Sequence, residues 1–226
     1  MIIVGISGKA QSGKNLATDT ICSVCDSKHI DFLEMAFADK LKEIVRDCFG
    51  VSEKLLWGSG KDKESLTHIE WDNVLVNPAY KLEYLKSKII KNYKYLTARE
   101  LLQYIGTDIF RKIDSLAWVR PVESYIQTIK EDEEKYSSRS SFVEQTVIVI
   151  TDVRFISECD MIKKFGGEIW RVCRGKLEKD SHASETELDK YDGFNTIIDN
   201  NGSKKQYVEK IKQLFGELLE SRKNIG

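Results

Sequence analysis

The stretch that decides the fold is Ile2-Ile-Val-Gly-Ile-Ser7, followed directly by Gly8-Lys-Ala-Gln-Ser-Gly13-Lys14. The apolar run predicts a buried first strand, and the pattern of residues 13–25 predicts a helix. Between them, glycines let the backbone curl so that several N–H groups point inward. The helix that begins there adds the positive end of its dipole. A strand, a G-x-x-x-x-G-K loop and a helix in this order predict a phosphate cradle, and an accidental Gly-rich turn is the disfavoured alternative.

The cradle would bind a nucleoside triphosphate, with Lys14 reaching its β- and γ-phosphates. The next position, which usually carries a Ser or Thr hydroxyl for Mg²⁺, is Asn15 and is followed by Leu16. We still expect Mg²⁺ as cofactor, because this ion keeps several waters and takes few protein ligands. The residues expected to bind ATP are Gly8, Lys9, Gln11, Ser12, Gly13, Lys14, Asn15 and Leu16.

A second candidate position follows the clearest strand, Thr146-Val-Ile-Val-Ile-Thr151. Ligands of open parallel sheets lie beyond the carboxyl ends of strands, so Asp152 should meet Mg²⁺, through water, or fix a substrate group. Its alternative role is to cap the next helix. Arg154 has a planar guanidinium suited to a phosphate, with a surface salt bridge as its alternative. Val153 supplies no acid to activate water, which favours transfer over hydrolysis.

Short β-rich runs alternate with longer helical patterns along the chain, which is typical of a parallel sheet covered by helices. Residues 53–96 interrupt this alternation and are interpreted as a mostly helical insertion on the substrate side, with a solvated helical excursion as the alternative. We expect one α/β domain over residues 1–226. The further predicted elements are strands at 32–36, 168–173 and 196–198, a helix at 40–49, and capping boxes at 97–100 and 203–206.

The amino-acid composition limits the classes of molecule that the protein is expected to bind. With 35 basic and 36 acidic residues, the net charge is −1, which gives no broad positive field for non-specific nucleic-acid binding. No apolar run reaches the ~18–20 residues of a membrane span. The start has no basic leader, and the five cysteines are an odd number, so reduced thiols in a cytoplasm are expected. We expect small-molecule partners, no nucleic acid and no membrane, and leave a homodimer open.

Several short segments form an ordered set that spans nearly the whole chain. They are residues 7–14, Phe37-Ala-Asp-Lys-Leu-Lys42, Arg99-Glu-Leu-Leu-Gln-Tyr-Ile-Gly-Thr-Asp108 with Phe110-Arg111, Trp118-Val119, Thr151-Asp-Val-Arg-Phe155 with Glu158, Gly166-Gly-Glu-Ile-Trp-Arg-Val-Cys-Arg174, His182-Ala-Ser-Glu-Thr-Glu187 and Asp199-Asn-Asn-Gly-Ser203. Together they resemble the deoxynucleoside monophosphate kinases of tailed bacteriophages and their bacterial relatives. The phosphate loop of that family usually continues Gly-Lys-Asp-Thr, from which Asn15 and Leu16 depart.

The resemblance implies a three-layer P-loop NTPase fold with a five-stranded parallel sheet and a lid at about residues 175–192. It implies that Arg99 or Arg111, together with Lys42 and Arg154, grips the acceptor phosphate. The catalytic set is then Lys14, Asp152, Arg111 and Arg154. Each arginine of the first pair has a structural alternative, since Arg99 could lie on a solvated helix face and Arg111 could pair with Asp114.

The resemblance also places the two nucleosides. Arg174 and Asn201 would lie near the adenine of ATP, and Glu158 would hold Arg154 or the sugar of the acceptor. Trp118 could instead be a core residue, because buried aromatic side chains are common. The remaining residues implied to contact the acceptor are Asp39, Gln103, Gly106, Thr107, Asp108 and Trp118.

These expectations combine into a kinase that moves the γ-phosphate of ATP to a deoxynucleoside monophosphate. The acceptor phosphate has a second pKa near ~6 and is already a nucleophilic dianion at neutral pH, so no general base is required. One alternative is another small-molecule P-loop kinase, such as a dephospho-coenzyme A kinase or an adenylate kinase. Another is a non-catalytic nucleotide-binding module, which the missing hydroxyl at Asn15 supports. A GTP switch is disfavoured because no Asn-Lys-x-Asp occurs.

Overall fold

The computed structural model describes residues 1–71, 94–137, 146–175 and 186–223. Two compact units are present: a sheet unit (Met1–Ala38 with Ser115–Gly226) and a small unit (Asp39–Asp114). The strands are β1 (Ile2–Ser7), β2 (Asp31–Met35), β3 (Leu66–Glu70), β4 (Tyr95–Thr97), β5 (Thr146–Val153), β6 (Glu168–Cys173) and β7 (Thr196–Asp199). The α-helices are α1 (Lys14–Lys28), α2 (Asp39–Phe49), α3 (Glu53–Trp57), α4 (Gly60–Lys63), α5 (Ala98–Gln103), α6 (Arg111–Ile113), α7 (Val119–Ser137), α8 (Ile156–Lys164) and α9 (Lys204–Lys223).

Five strands of the sheet unit pair in the order β2-β5-β1-β6-β7, and every pair is parallel. The carboxyl ends of the strands therefore meet at one edge of the sheet. Ser7, at the end of β1, stands opposite Val153 of β5 and Arg171 of β6. The prediction of an α/β fold with a five-stranded parallel sheet is confirmed.

Helices cover both faces of this sheet, which gives three layers. Alternate residues of β1 and β5, such as Val4 and Val149, join a buried cluster with Ile21 of α1 and Phe215 of α9. The intervening positions are equally buried, and α8 contacts β1 and β6. Strands buried on both faces require the continuous apolar runs from which they were predicted.

The small unit differs from its sequence-based interpretation. Residues 53–96 were expected to be mostly helical, yet the described part contains an antiparallel pair, β3 and β4, in which Leu66 stands opposite Thr97. The buried hydroxyl of Thr67 donates to the carbonyl of Leu96 at 2.8 Å. Residues 72–93 of the predicted insertion lie outside the described residues. The expectation missed these short strands because their pairing depends on residues distant in sequence.

The segment from Gln103 to Asp108, which contains residues implied to contact the acceptor, is helical. It ends α5 and continues as a π-helix, Tyr104–Phe110. A Cβ atom on Gly106 would lie 2.5 Å from Cδ2 of Leu41, so the absence of a side chain allows this segment to pack closely on α2. The wider helical turn places Gly106, Thr107 and Asp108 on one short element, and such π-helical turns are frequent at functional sites.

Both predicted capping boxes are present. Thr97 and Glu100 exchange side-chain and backbone hydrogen bonds at the start of α5. Ser203 and Gln206 do the same at the start of α9. In the described part of the chain, the helices are too short or too polar for any of them to cross a bilayer.

Candidate functional site

The loop between β1 and α1 curls at the carboxyl edge of the sheet. Three of its residues have left-handed backbone angles, with φ of 155° at Gly8, 60° at Gln11 and 109° at Gly13. The N–H of Ser12 donates to the carbonyl of Lys9 at 3.2 Å and closes the turn. A Cβ atom on Gly8 would lie 2.5 Å from Oγ of Ser12 and 2.7 Å from the carbonyl of Val172. The curl therefore depends on glycine, as expected of a loop that turns its N–H groups inward.

Lys14 is the first residue of α1, and its side chain folds back over this loop. Its Nζ donates to the carbonyl oxygens of Gly8 at 2.7 Å and Lys9 at 2.8 Å. These contacts hold a positive charge at the rim of the loop. Backbone carbonyls are weaker partners for an ammonium than phosphate oxygens are, because only phosphate carries full negative charge.

Two features of the loop fit a phosphate group. The hydroxyl of Ser12 is buried and has no hydrogen-bond partner among the described residues, which is a costly arrangement unless a ligand accepts from it. The N-cap of α1 is Gly13, which has no side chain that could cap the first-turn N–H groups. An anion satisfies both, and the helix dipole favours it. The residues present therefore fit the phosphates of ATP.

Asp152 is held by the backbone that follows β2. Its carboxylate oxygens accept from the N–H groups of Phe37 at 2.7 Å and Ala38 at 3.0 Å. The alternative of a helix cap is wrong, because the N-cap of α8 is Phe155, whose N–H donates to the carboxylate of Glu158. Each oxygen of Asp152 has a further lone pair that could accept from a magnesium-bound water. Among the residues described, no three metal-ligating side chains cluster together. Because Mg²⁺ keeps several waters and takes few protein ligands, a single carboxylate that binds through water fits this ion.

Glu158 is buried, and its Oε2 accepts from the N–H groups of Arg154 at 2.7 Å and Phe155 at 3.0 Å. It therefore fixes the backbone from which the Arg154 side chain leaves the end of β5. This contact agrees with the expectation that Glu158 helps to hold Arg154. The phosphate-binding role of the Arg154 guanidinium stays a prediction.

Within the small unit, two predicted acceptor-binding cations have acidic partners. Nζ of Lys42 lies 2.9 Å from Oδ1 of Asp39 and 5.6 Å from the ring centre of Trp57. The guanidinium of Arg99 pairs with the carboxylate of Glu64. Both cations are therefore held in place by neighbouring side chains of their own unit.

The other expected acceptor residues divide between the two units. Gln103 ends α5, Gly106 to Asp108 lie in the π-helix, and Arg111 begins α6, all within the small unit. Trp118 belongs to the sheet unit and is only 4% exposed, which agrees with its alternative as a core residue. Substrate contacts for all of these residues stay predictions.

The expected adenine-binding residues lie on the loops that follow β6 and β7. Oδ1 of Asn201 accepts from the N–H of Gly175 at 2.6 Å and so links the two loops. Arg174, next to Gly175, is exposed. Much of the predicted lid, residues 176–185, lies outside the described residues. Its described end contains a 3₁₀-helix, Glu187–Lys190.

Sequence reasoning missed an ionic cluster beside the loop. The carboxylate of Asp189, on the 3₁₀-helix, lies 2.7 Å from Nζ of Lys9 and 3.1 Å from Nη2 of Arg171. Nη1 of Arg171 also donates to the buried hydroxyl of Ser7 at 2.9 Å. The one sequence signal for this ionic cluster is that Arg171 lies inside the predicted strand 168–173. A charged guanidinium in a strand needs an acidic or hydrogen-bonding partner near the strand end.

It also missed the contacts of Asn200 and Tyr207. Nδ2 of Asn200 donates to the carbonyl of Ser12 at 2.7 Å, and the hydroxyl of Tyr207 donates to the carbonyl of Gly13 at 3.2 Å. Asn200 lies in segment 199–203 of the family resemblance, and Tyr207 follows the capping box at 203–206, but neither position signals a contact with the phosphate loop. Both act on the last residues of the phosphate loop.

Comparison with known proteins gives one family. A family model described as "Deoxynucleotide monophosphate kinase" matches residues 61–211, more than half of the chain. The matched range begins after the phosphate loop, so the loop geometry is an independent observation. A relative from Acanthamoeba polyphaga mimivirus, named "Putative deoxynucleotide monophosphate kinase", is 27% identical over 214 residues. The alignment covers 93% of this chain and 94% of that relative.

Among solved structures, a gluconokinase from Sinorhizobium meliloti 1021 is 11% identical with a TM-score of 0.40. It aligns over 100% of this chain and 97% of its own. The dephospho-CoA kinase from Campylobacter jejuni is 13% identical with a TM-score of 0.41. That alignment covers 97% of this chain and 98% of the kinase.

Proposed function

This chain belongs to the deoxynucleotide monophosphate kinase family, and from that premise we propose that it transfers the γ-phosphate of ATP to deoxynucleoside monophosphates. It is a kinase, a phosphotransferase, and its products would be ADP and a deoxynucleoside diphosphate. The observation that carries the proposal is the phosphate-fitting loop at the start of α1. It has a helix end without a side-chain cap, the ammonium of Lys14 at its rim and a buried Ser12 hydroxyl that has no partner in the described part of the chain.

The donor site works by neutralising charge. When ATP binds, Lys14 exchanges the carbonyls of Gly8 and Lys9 for phosphate oxygens, and the hydroxyl of Ser12 gains an acceptor. The first-turn N–H groups of α1 and its dipole act on the same phosphates. Because these donors are fixed in advance by the curled loop, they stabilise the charge that develops on the transferred group at little reorganisation cost.

The acceptor would be bound through its phosphate by Lys42, by Arg99 or Arg111, and by Arg154, the cations that the family resemblance indicates. Two of them, Lys42 and Arg99, already have carboxylate partners that hold their side chains in defined positions. An acceptor dianion can attack without a general base, so these cations need only hold it in line with the donor and reduce repulsion.

Mg²⁺, when bound with ATP, would shield the phosphate charges, and Asp152 would hold it through water. We expect Asp152→Asn to raise the Mg²⁺ concentration for half-maximal activity by about 10–100-fold, because a water-bridging acceptor becomes an amide. The measurement is a magnesium titration of initial rates at fixed ATP. Asp160→Asn, an exposed carboxylate on α8, is the matched control. An unchanged magnesium dependence in Asp152→Asn would restrict Asp152 to anchoring Phe37 and Ala38.

The test of the proposed function is a coupled assay of ADP release over dAMP, dGMP, dCMP, dTMP and their ribonucleotide counterparts. We expect stoichiometric diphosphate product with one or more deoxynucleotides and a lower kcat/KM for the matching ribonucleotide. Product from dephospho-coenzyme A or gluconate but from no nucleotide would overturn the proposal. ATP binding with no product from any acceptor would favour a non-catalytic nucleotide-binding module.

The origin of the protein, its cellular location and its oligomeric state are further proposals. The sequence resembles kinases of tailed bacteriophages, whereas the relative found belongs to a giant virus. A cytoplasmic location and a homodimer stay predictions.

A further inference from the structure

We propose that Asn200 and Tyr207 are positioning residues that aim the N–H groups of Gly13 and Lys14 at the donor phosphates. This inference rests on the proposed function, because it concerns the ATP site that the phosphate loop would form. The two side chains contact the loop from the side opposite to the one that would face the donor phosphates. We call them the brace.

Asn200 is anchored before it reaches the loop. It follows β7 directly, and its own N–H donates to the carbonyl of Cys173 at 2.8 Å. Its side chain is buried and gives one amide hydrogen to the carbonyl of Ser12 at 2.7 Å. A Cβ atom on Gly13 would overlap Nδ2 of Asn200, so the amide lies directly against the loop backbone. A donor held this closely defines the direction of the Ser12 carbonyl.

Tyr207 reaches the next carbonyl from α9. The residue is only 2% exposed and packs in the core cluster beside the sheet. Its hydroxyl donates to the carbonyl of Gly13 at 3.2 Å, an oxygen that also accepts from the N–H of Ala17 at 3.1 Å. Burial raises the pKa of Tyr207 to about 12, so its hydroxyl keeps the proton it donates at every pH at which the enzyme would work.

Because of peptide geometry, these two carbonyl contacts also orient N–H groups on the side of the loop that would face the phosphates. In a planar trans peptide the carbonyl oxygen and the amide hydrogen point in opposite directions. The carbonyl of Ser12 shares its peptide with the N–H of Gly13, and the carbonyl of Gly13 shares its peptide with the N–H of Lys14. Fixing the two carbonyls toward Asn200 and Tyr207 therefore fixes both N–H groups toward the opposite side.

The loop needs such a brace because of its own sequence. Gly13 supplies the φ of 109° that the turn requires, yet glycine is the residue with the greatest backbone freedom. Without the brace, the Ser12–Gly13 peptide could rotate, and the Gly13–Lys14 peptide would rely on the N–H of Ala17. Donors that are already oriented stabilise developing charge better than donors that must first reorganise.

The test uses the full-length chain with Asn200→Ala and Tyr207→Phe. Each is expected to lower kcat/KM for ATP by about tenfold, a fraction of the 10²–10³ lost when a donor is removed outright, and to leave KM for the acceptor nucleotide unchanged. Ile211→Val is the control for stability, since Ile211 is fully buried on α9 in the same core cluster. It should lower the melting temperature comparably without changing kcat/KM for ATP.

A second measurement separates this inference from the proposed function. ADP binding is followed by calorimetry and by the amide shifts of Gly13 and Lys14 in a ¹⁵N-labelled chain, neither of which requires transfer. We expect ADP to bind about tenfold more weakly to both variants, with smaller ADP-induced shifts at these two amides. Wild-type affinity and shifts in both variants would overturn the brace even if the kinase is active. Loss of transfer to every acceptor in the wild type would instead overturn the proposed function alone.

Discussion

Lys14→Ala is expected to lower the turnover number by about 10²–10³-fold or more, because it removes a full positive charge from the site where the phosphate charge develops. The fold should survive. Nζ of Lys14 donates to the carbonyls of Gly8 and Lys9, and both belong to a loop at the sheet edge. Losing these two hydrogen bonds should lower the unfolding free energy by about 1 kcal/mol. Single-turnover kinetics with saturating ATP measures the effect on transfer.

The matched control for this charge removal is Lys28→Ala. Lys28 is an exposed cation in the last turn of the same helix, α1, far along it from the phosphate loop. It removes an equal charge from the same element, so its turnover number should stay within a factor of two of the wild type. Transfer by Lys14→Ala at a rate within tenfold of the wild type would contradict the proposed donor site.

The parts of the fold that could be predicted are those with local signals. The β-branched run from Thr146 to Thr151 predicts β5, and the pattern of residues 13–25 predicts α1. The carboxyl edge of the sheet, and with it the placement of Asp152, followed from the general behaviour of parallel sheets. These signals are local because each depends on residues within one strand, one helix or one loop.

The contacts that complete the site are not local. Asn200 and Ser12 are far apart in sequence, as are Asp152 and Phe37, and only the finished sheet brings each pair together. Tyr207 has the spacing of a core residue and is one, so nothing in the sequence marks its hydroxyl as a donor to the loop. The pairing of β3 with β4 escaped prediction for the same reason. Polar contacts that depend on tertiary structure leave no periodic pattern.

Gly13→Ala is expected to abolish measurable transfer and to lower the unfolding free energy by about 1–3 kcal/mol. Two effects combine at this position. The φ of 109° lies in a region that residues with a side chain rarely adopt, and the new Cβ atom would overlap the amide of Asn200. Relief of the overlap would displace the brace and turn the Gly13 and Lys14 N–H groups away from the phosphate. ADP-release assays and urea denaturation measure the two losses.

Backbone strain and steric overlap can be separated because one glycine of the chain, Gly166, would cause only the first when replaced by alanine. Gly166 has a φ of 71°, and a Cβ atom there would meet nothing within 4 Å. Gly166→Ala should therefore cost about 1 kcal/mol of stability and leave transfer intact. Asn200→Ala removes the atoms that the new methyl group would overlap, so the double variant with Gly13→Ala should be more stable than additivity predicts. Strict additivity of the two losses would show that the methyl group and the Asn200 amide do not compete for the same space.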